Sequence, residues 1–185
     1  MISSRGFSVP EMVVIIFLSS VVFLGISQIY ITYNSSYLYQ NASINASLSA
    51  ASFVNETADM ALQASNIVAS RTVSGTLYTT GSTTVILEIP SIDNDGDIIT
   101  STYDYAILFG STTEAYRIMD AAASSARLDG TKMFSEVVSN LTFTYDNASP
   151  TVATALTVDI TNQTAVKQQV VSTHLKQTVY LRNKQ

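Results

Sequence analysis

The feature that most constrains this chain is a long stretch without charge that begins directly after a single carboxylate, Glu11. Residues 12–55 contain no Asp, Glu, Lys or Arg, and residues 12–31 are almost wholly apolar. Twenty helical residues rise about 30 Å, which matches the hydrocarbon thickness of a bilayer. The sequence therefore predicts a transmembrane helix over 12–31, with an ionisable residue directly before it, where an unpaired charge is costly.

The composition limits the kinds of site that the rest of the chain can build. Only 12% of the 185 residues are charged, the net charge is −5, and there is no Cys. An acidic chain lacks the basic surface typical of nucleic-acid-binding domains, so we expect no nucleic-acid partner. Without Cys, neither a disulfide framework nor a thiolate metal site can form.

Beyond the apolar stretch, residues 32–70 are predicted to continue the helix as an amphipathic segment. They hold neither Pro nor Gly, and apolar side chains recur at spacings of three, four and seven residues. Because Asn and Ser are mediocre helix formers, we expect an irregularity between Tyr30 and Ser43. The stripe expected to pack on a sheet consists of Tyr33, Tyr37, Ile44, Leu48, Ala51, Ala58 and Leu62, widened by Phe53, Met60 and Ile67.

From Arg71 onward the apolar pattern changes from helical to alternating, which indicates strands. Strands are predicted over 83–92, 97–110, 114–120, the second half of 134–147, 154–160 and 169–183, with 121–132 as a connection. The last two strands should form a hairpin with 161–164 at its tip. The predicted fold class is α+β, a long N-terminal helix packed on an antiparallel β-sheet domain over 71–185, which is large enough for one core.

No pattern typical of catalysis appears in the sequence. The one His, His174, falls on the polar face of a predicted strand, and the chain contains neither a G-x-S-x-G motif nor a phosphate-binding loop. With no Cys and no second His, a zinc site is not expected. We therefore expect a protein that is not an enzyme and that has no cofactor, with calcium as the one candidate ion.

The candidate calcium ligands are Asp93, Asp95 and Asp97. Carboxylates at alternate positions in a loop that contains Gly suit Ca²⁺. Asp95 and Gly96 are equally a hairpin turn signal between two predicted strands. The Gly that a helix-loop-helix calcium loop requires after the third Asp is replaced by Ile98. The sequence favours the turn over the calcium site.

Seven of the ten Asn residues stand in Asn-x-Ser/Thr sequons, more than the roughly three expected by chance in a chain this rich in Ser and Thr. Surface glycosylation and compositional bias explain this excess equally well. The candidate acceptors are Asn34, Asn41, Asn45, Asn55, Asn140, Asn147 and Asn162.

The stretch "RGFSVPE", followed by the apolar segment, resembles the N-terminus of type IV prepilins and pseudopilins. The resemblance implies a leader peptide over 1–6, cleavage by a prepilin peptidase between Gly6 and Phe7, and N-methylation of Phe7. The transmembrane and assembly helix of the processed chain would then run over 7–31. It implies that Glu11, the fifth mature residue, meets the N-terminal amine of a neighbouring subunit during assembly. The implied partners are other pilin subunits in a helical fibre, the prepilin peptidase and an inner-membrane assembly platform.

The resemblance also implies a location and a place in the fibre. The precursor would cross the cytoplasmic membrane once, and the assembled subunit would belong to an extracellular or periplasmic filament. The ending "VYLRN" resembles minor pilins of the PilW type and the minor pseudopilin J. No Pro bends the apolar segment and no disulfide can close a C-terminal loop. Both departures from many major pilins fit a minor subunit.

Two other hypotheses remain open at this stage. The chain could be a non-assembling, single-pass membrane-anchored extracellular binding module, in which Glu11 only complements the helix dipole. It could also be a DNA-uptake tip protein, because four basic residues lie late in the chain, although the acidic composition argues against it. Those residues are Lys167, Lys176, Arg182 and Lys184.

Overall fold

The structure is a computed structural model that describes residues 8–167 and 169–181. The expected cleavage and methylation positions, Gly6 and Phe7, lie outside the described residues, as do Arg182 and Lys184. The chain divides into two compact units, Met1–Asn41 and Ala42–Gln185, each with its own internal contacts.

Helix α1 runs from Val9 to Gln63 without interruption. The irregularity expected between Tyr30 and Ser43 is not found, so that prediction was wrong. Ser35 shows one reason, because its hydroxyl donates to the Ile31 carbonyl at 2.8 Å and bonds to the helix rather than competing with it.

The helix ends at Gln63 and not at 70, which corrects the predicted C-terminal boundary. After Gln63 the backbone changes partner, since Ser65 N–H donates to the Glu88 carbonyl at 2.8 Å. The β-branched residues Ile67 and Val68 follow and join a sheet, Ile67 in a strand and Val68 through its N–H to the Ile86 carbonyl.

The buried face of α1 in the second unit differs from the predicted stripe. It consists of Ala46, Ala50, Phe53, Val54, Thr57, Ala58 and Ala61. Phe53, Ala58 and Ile67 are buried as predicted, whereas Ile44, Leu48 and Leu62 are exposed. Small Ala side chains allow a helix to pack closely on a sheet, so the close-packed core forms on the Ala face. Tyr33 and Tyr37, in the first unit, are also exposed.

Within the described residues, ten strands follow the helix and form antiparallel sheets, as predicted in outline. They are β1 Asn66–Ile67, β2 Ser70–Val73, β3 Thr76–Thr79, β4 Thr84–Ile92, β5 Ile98–Gly110, β6 Ala115–Asp120, β7 Gly130–Ser135, β8 Val138–Tyr145, β9 Ala155–Val166 and β10 Gln169–Tyr180. One sheet has the order β1-β4-β5-β6-β7, a second has the order β10-β9-β8, and β2 pairs with β3 alone. The layout is therefore α+β, with three sheets in place of the single sheet expected.

The predicted strands over 83–92, 97–110 and 114–120 are confirmed within one residue at each end, whereas β1, β2, β3 and β7 were not predicted. The predicted hairpin tip at 161–164 was wrong. β9 continues to Val166, which pairs with Gln169. Thr161 and Thr164 favour strand structure, and they pair with His174 and Val171.

The core of the second unit lies where α1 meets two sheets. The ring of Phe53 packs edge-on against Phe134 of β7, with the centroids 5.7 Å apart, and tilts against Phe143 of β8 at 6.4 Å. The two sheets also join directly, since Phe143 N–H donates to the Ser82 carbonyl at 2.7 Å. One helical face therefore holds both sheets in a single core.

Candidate functional site

The N-terminal part of α1 is the candidate functional site, because its apolar side chains are exposed and not buried by the described residues. α1 is the one helix of the described residues that is long and apolar enough to cross a membrane. Its most apolar window has a mean hydropathy of 2.4, and none of that window is buried. Phe17 and Phe23 are 66% and 70% exposed. A continuous apolar surface of this kind marks a membrane or protein-interaction surface.

One polar side chain inside this apolar stretch, Ser20, is bonded within the helix. The Ser20 hydroxyl donates to the Ile16 carbonyl at 2.8 Å. A hydroxyl that bonds to its own helix can enter hydrocarbon at lower cost than an unpaired one.

Glu11 lies in the first turn of α1, and its carboxylate is bonded to Ser8. Ser8 N–H donates to Glu11 Oε2 at 2.7 Å, and the Ser8 hydroxyl donates to the same oxygen at 2.8 Å. Met12 N–H donates to the Ser8 carbonyl at 3.1 Å, so Ser8 is the residue that caps the helix. Glu11 therefore occupies the acidic position of a capping box, an arrangement that was not predicted from the sequence.

The second unit carries its own exposed apolar stripe on α1, defined by Ile44, Leu48 and Leu62. These side chains are 55%, 63% and 46% exposed. Their separations of four and fourteen residues are close to one and four helical turns, so they share one face. This face is distinct from the buried Ala face, and no residue of the described chain buries it. α1 in the second unit thus has two apolar faces, of which the sheets use one.

The loop of Asp93, Asp95 and Asp97 is the turn between β4 and β5. Asp93 Oδ1 accepts the N–H groups of Asp95 and Asp97, at 3.0 and 2.9 Å. Gly96 has a φ of +89°, the left-handed conformation that Gly adopts easily in a turn. Over residues 8–167 and 169–181, no group of three acidic or His side chains could hold a metal ion. The structure thus gives this loop the role of a turn and does not bring its carboxylates together.

The seven sequons lie in different surroundings. Asn162 is fully buried, and its Nδ2 donates to the Ala46 carbonyl at 3.0 Å and to the Ser49 hydroxyl at 2.8 Å. The other six Asn side chains are exposed: Asn34 and Asn41 in the first unit, and Asn45, Asn55, Asn140 and Asn147 in the second. Asn162 fastens α1 to β9 and is not accessible in the folded chain.

His174 is exposed on β10, on the face predicted for it. Its Nε2 lies 2.8 Å from Asp159 Oδ1, and Lys176 Nζ lies 3.9 Å from Asp159 Oδ2. Exposed pairs of this kind stabilise a fold by less than about 1 kcal/mol. The cluster is a surface contact across β9 and β10, in which Lys176 and Asp159 form the ion pair.

A buried ionic network around Asp104 was missed at the sequence level. Asp104 is fully buried and accepts bonds from Ser91 at 2.7 Å, Ser125 at 2.7 Å, Ala122 N–H at 2.9 Å and Arg127 at 2.7 Å. Burial raises the pKa of Asp104, but these donors together outweigh it and lower the pKa below its ordinary value. The alternating pattern of β5 predicts an inward position for Asp104, although nothing in the sequence names its partners.

A cleft of about 440 Å³ lies beside the buried part of α1. Its walls come from the helix, from β7 with the residues after it, and from β9; they include Ala42, Ser49, Met133, Glu136 and Thr164. Of the described residues that line it, Glu136 is the one that can ionise.

Comparison with known proteins gives no match at any level. No family model, no curated protein and no solved structure matches this chain.

Proposed function

We propose that this chain is a structural subunit, of the minor type, of a type IV pilus or a related type II secretion-like pseudopilus. In this proposal a prepilin peptidase removes residues 1–6, Phe7 is methylated, and the subunit waits in the cytoplasmic membrane until an assembly platform extracts it into a fibre. The single observation that carries the proposal is the N-terminal part of α1, an uncovered apolar helix whose one charged residue is Glu11.

The free-energy cost of exposing this apolar helix to water supports the presence of a partner that covers it. Each Å² of apolar surface left in water costs about 25 cal/mol of free energy relative to the same surface buried. A helix with this much exposed apolar surface therefore requires lipid or other helices around it. Lipid meets the requirement in the membrane, and the helices of neighbouring subunits meet it in a fibre. In the same fibre, the exposed stripe of Ile44, Leu48 and Leu62 would be covered as well.

A second candidate function is a membrane-anchored extracellular binding module that never assembles. The bonds from Ser8 to Glu11 favour it, because capping gives the carboxylate a role that needs no neighbouring subunit. The two candidates differ in whether the charge of Glu11 is needed or only its oxygen.

Glu11→Gln separates these roles, since the amide keeps an oxygen that can accept from Ser8 N–H but loses the charge. If the chain is a fibre subunit, Glu11→Gln abolishes or strongly reduces sheared surface filaments, while Ser8→Ala leaves them. If the chain is a simple anchor, neither substitution changes membrane retention and no filaments are found.

The intact mass and N-terminal sequence of the protein from its host membrane test the processing step directly. A chain that begins at methylated Phe7 supports the fibre pathway. A chain that begins at Met1 refutes it and leaves the anchor.

A further inference from the structure

The seven sequons differ in the exposure and the hydrogen bonds of their side chains, and these differences indicate one modification site. We propose that Asn140, on β8, is the N-glycosylation acceptor of the sheet domain. The donor is an oligosaccharide linked through phosphate to a lipid on the outer side of the membrane. The inference depends on the proposed function only in that the sheet domain is exported across the membrane.

Asn140 and Thr142 present the two reactive groups of the sequon on the same side of the sheet. Residues i and i+2 of a strand face the same way. Asn140 is exposed, Thr142 is half-exposed, and β8 is an edge strand of its sheet. The pairing of β8 with β9 is irregular between Val138 and Asn140, so the sequon begins where the ladder is already interrupted. The Asn140 amide has no hydrogen bond to the part of the chain that the structure describes.

Asn162 is excluded by its bonds. A sugar on Nδ2 would replace one of the two hydrogens that bind Ala46 and Ser49, and it would have to fit in a space where the side chain is fully buried. Glycosylation at Asn162 and folding around it are therefore mutually exclusive.

Asn147 is accessible, but both polar side chains of its sequon are already hydrogen-bonded. Its Oδ1 accepts Ser149 N–H at 3.0 Å, and the Ser149 hydroxyl lies 3.1 Å from the Thr151 hydroxyl. Pro150 follows directly and restricts the backbone of Ser149. The hydroxyl that a transferase must contact is thus already engaged.

Asn45 and Asn55 lie within the continuous helix α1, where residues i and i+2 do not face each other, so the two side chains of each sequon point to different sides. Asn55 is also seven residues from Leu48 and from Leu62, so it shares the face of the exposed apolar stripe. A sugar chain on that face would prevent the apolar stripe from being covered.

The transfer step is a substitution at the anomeric carbon of the donor sugar. Asn140 Nδ2 forms a bond to C1 as the bond from C1 to the phosphate oxygen breaks. The lipid phosphate leaves with the electron pair, and the amide proton passes to a base of the transferase or to water.

Peptide mass spectrometry of the full-length protein from its native host tests the inference. The peptide that contains Asn140 should carry a sugar chain, which should be lost in Asn140→Gln and also in Thr142→Val, where the acceptor Asn remains. Asn147→Gln is the matched control and should leave the total sugar mass unchanged. An unmodified Asn140 peptide, or a loss of sugar mass in Asn147→Gln, would overturn the inference.

The same sample distinguishes this failure from failure of the proposed function. A chain cut at Gly6 without sugar on Asn140 refutes the glycosylation site alone. A chain that begins at Met1 and carries sugar on Asn140 refutes the fibre subunit and supports the site.

Discussion

Helix α1 contains two parts that use apolar residues in opposite ways. Over Val9–Asn41 the apolar side chains are large and almost all exposed, whereas over Ala42–Gln63 the buried ones are mostly Ala. The first part therefore depends on surroundings that the chain itself does not supply. The second part is stabilised by its own domain. A hydrophobic side chain is thus not by itself evidence of a core position, because what matters is which surface reaches it.

Two Phe residues of the same helix test most directly whether its two parts differ in their contribution to stability. Phe53 is fully buried against Phe134 and Phe143, so Phe53→Ala should lower the free energy of unfolding of the sheet domain by about 3–5 kcal/mol. Phe23 is 70% exposed, so Phe23→Ala should leave that free energy unchanged. Urea unfolding of the full chain in detergent, followed by near-ultraviolet circular dichroism of Tyr, measures both. Equal losses would show that the division of the helix is wrong.

A second test removes the polar network around Asp104, which stabilises the second unit and has no counterpart among the described residues of the first unit. Asp104→Ala leaves Arg127 without its carboxylate partner and removes acceptors from Ser91 and Ser125. Breaking a buried pair costs about 3–5 kcal/mol; because Arg127 also donates to the Pro90 carbonyl, we expect about 3 kcal/mol.

The matched control for Asp104 is Asp97→Ala, in the exposed turn between β4 and β5. It should change the free energy of unfolding by less than about 0.5 kcal/mol. A mild effect at Asp104 would mean that the network contributes no more than a surface ion pair.

The Ala face can be tested by adding volume rather than removing it. Ala50 is fully buried, so Ala50→Leu should destabilise the domain by about 1–3 kcal/mol through overpacking. Ser52, two residues along the same helix, is exposed, so Ser52→Leu introduces the same side chain where there is room for it and should be close to neutral. If both variants are neutral in the same unfolding assay, the Ala face is not closely packed.

The Ala face also shows how far the sequence could predict this fold. The helix, its apolar N-terminal part and the longer strands follow from periodicity, which is a local property. The buried face of α1 does not, since Ile44 and Leu48 are stronger hydrophobes than Ala46 and Ala50, and the choice depends on how closely two sheets approach. The two-residue strand β1 likewise depends on a partner, β4, that lies elsewhere in the chain. β2 and β3 form a local hairpin, which was not predicted although its pairing is local.

The candidate site divides in the same way. The position of Glu11 before the apolar segment is visible in the sequence, whereas its bonds to Ser8 require coordinates. The sequons are visible as motifs, but the burial of Asn162 depends on the contact between α1 and β9. Motifs are local, and accessibility is a property of the fold.

The smallest predicted effect is the dependence of stability on pH at Asp104. Burial alone would raise the pKa of this carboxyl, but the N–H of Ala122, the hydroxyls of Ser125 and Ser91 and the Arg127 guanidinium lower it below its ordinary value of 3.8. A carboxyl with a lowered pKa in the folded state stabilises the fold above its ordinary pKa, and this contribution is lost as the pH falls through the lowered value. Asp104→Asn cannot lose a charge, so the difference in unfolding free energy between wild type and this variant should be constant at neutral pH and should shrink below about pH 4. Urea unfolding from about pH 7 to about pH 2 measures this difference. A difference at Asp104 that stays constant to the lowest pH would mean that the carboxylate charge contributes nothing to the fold and that its hydrogen bonds act as those of a neutral group.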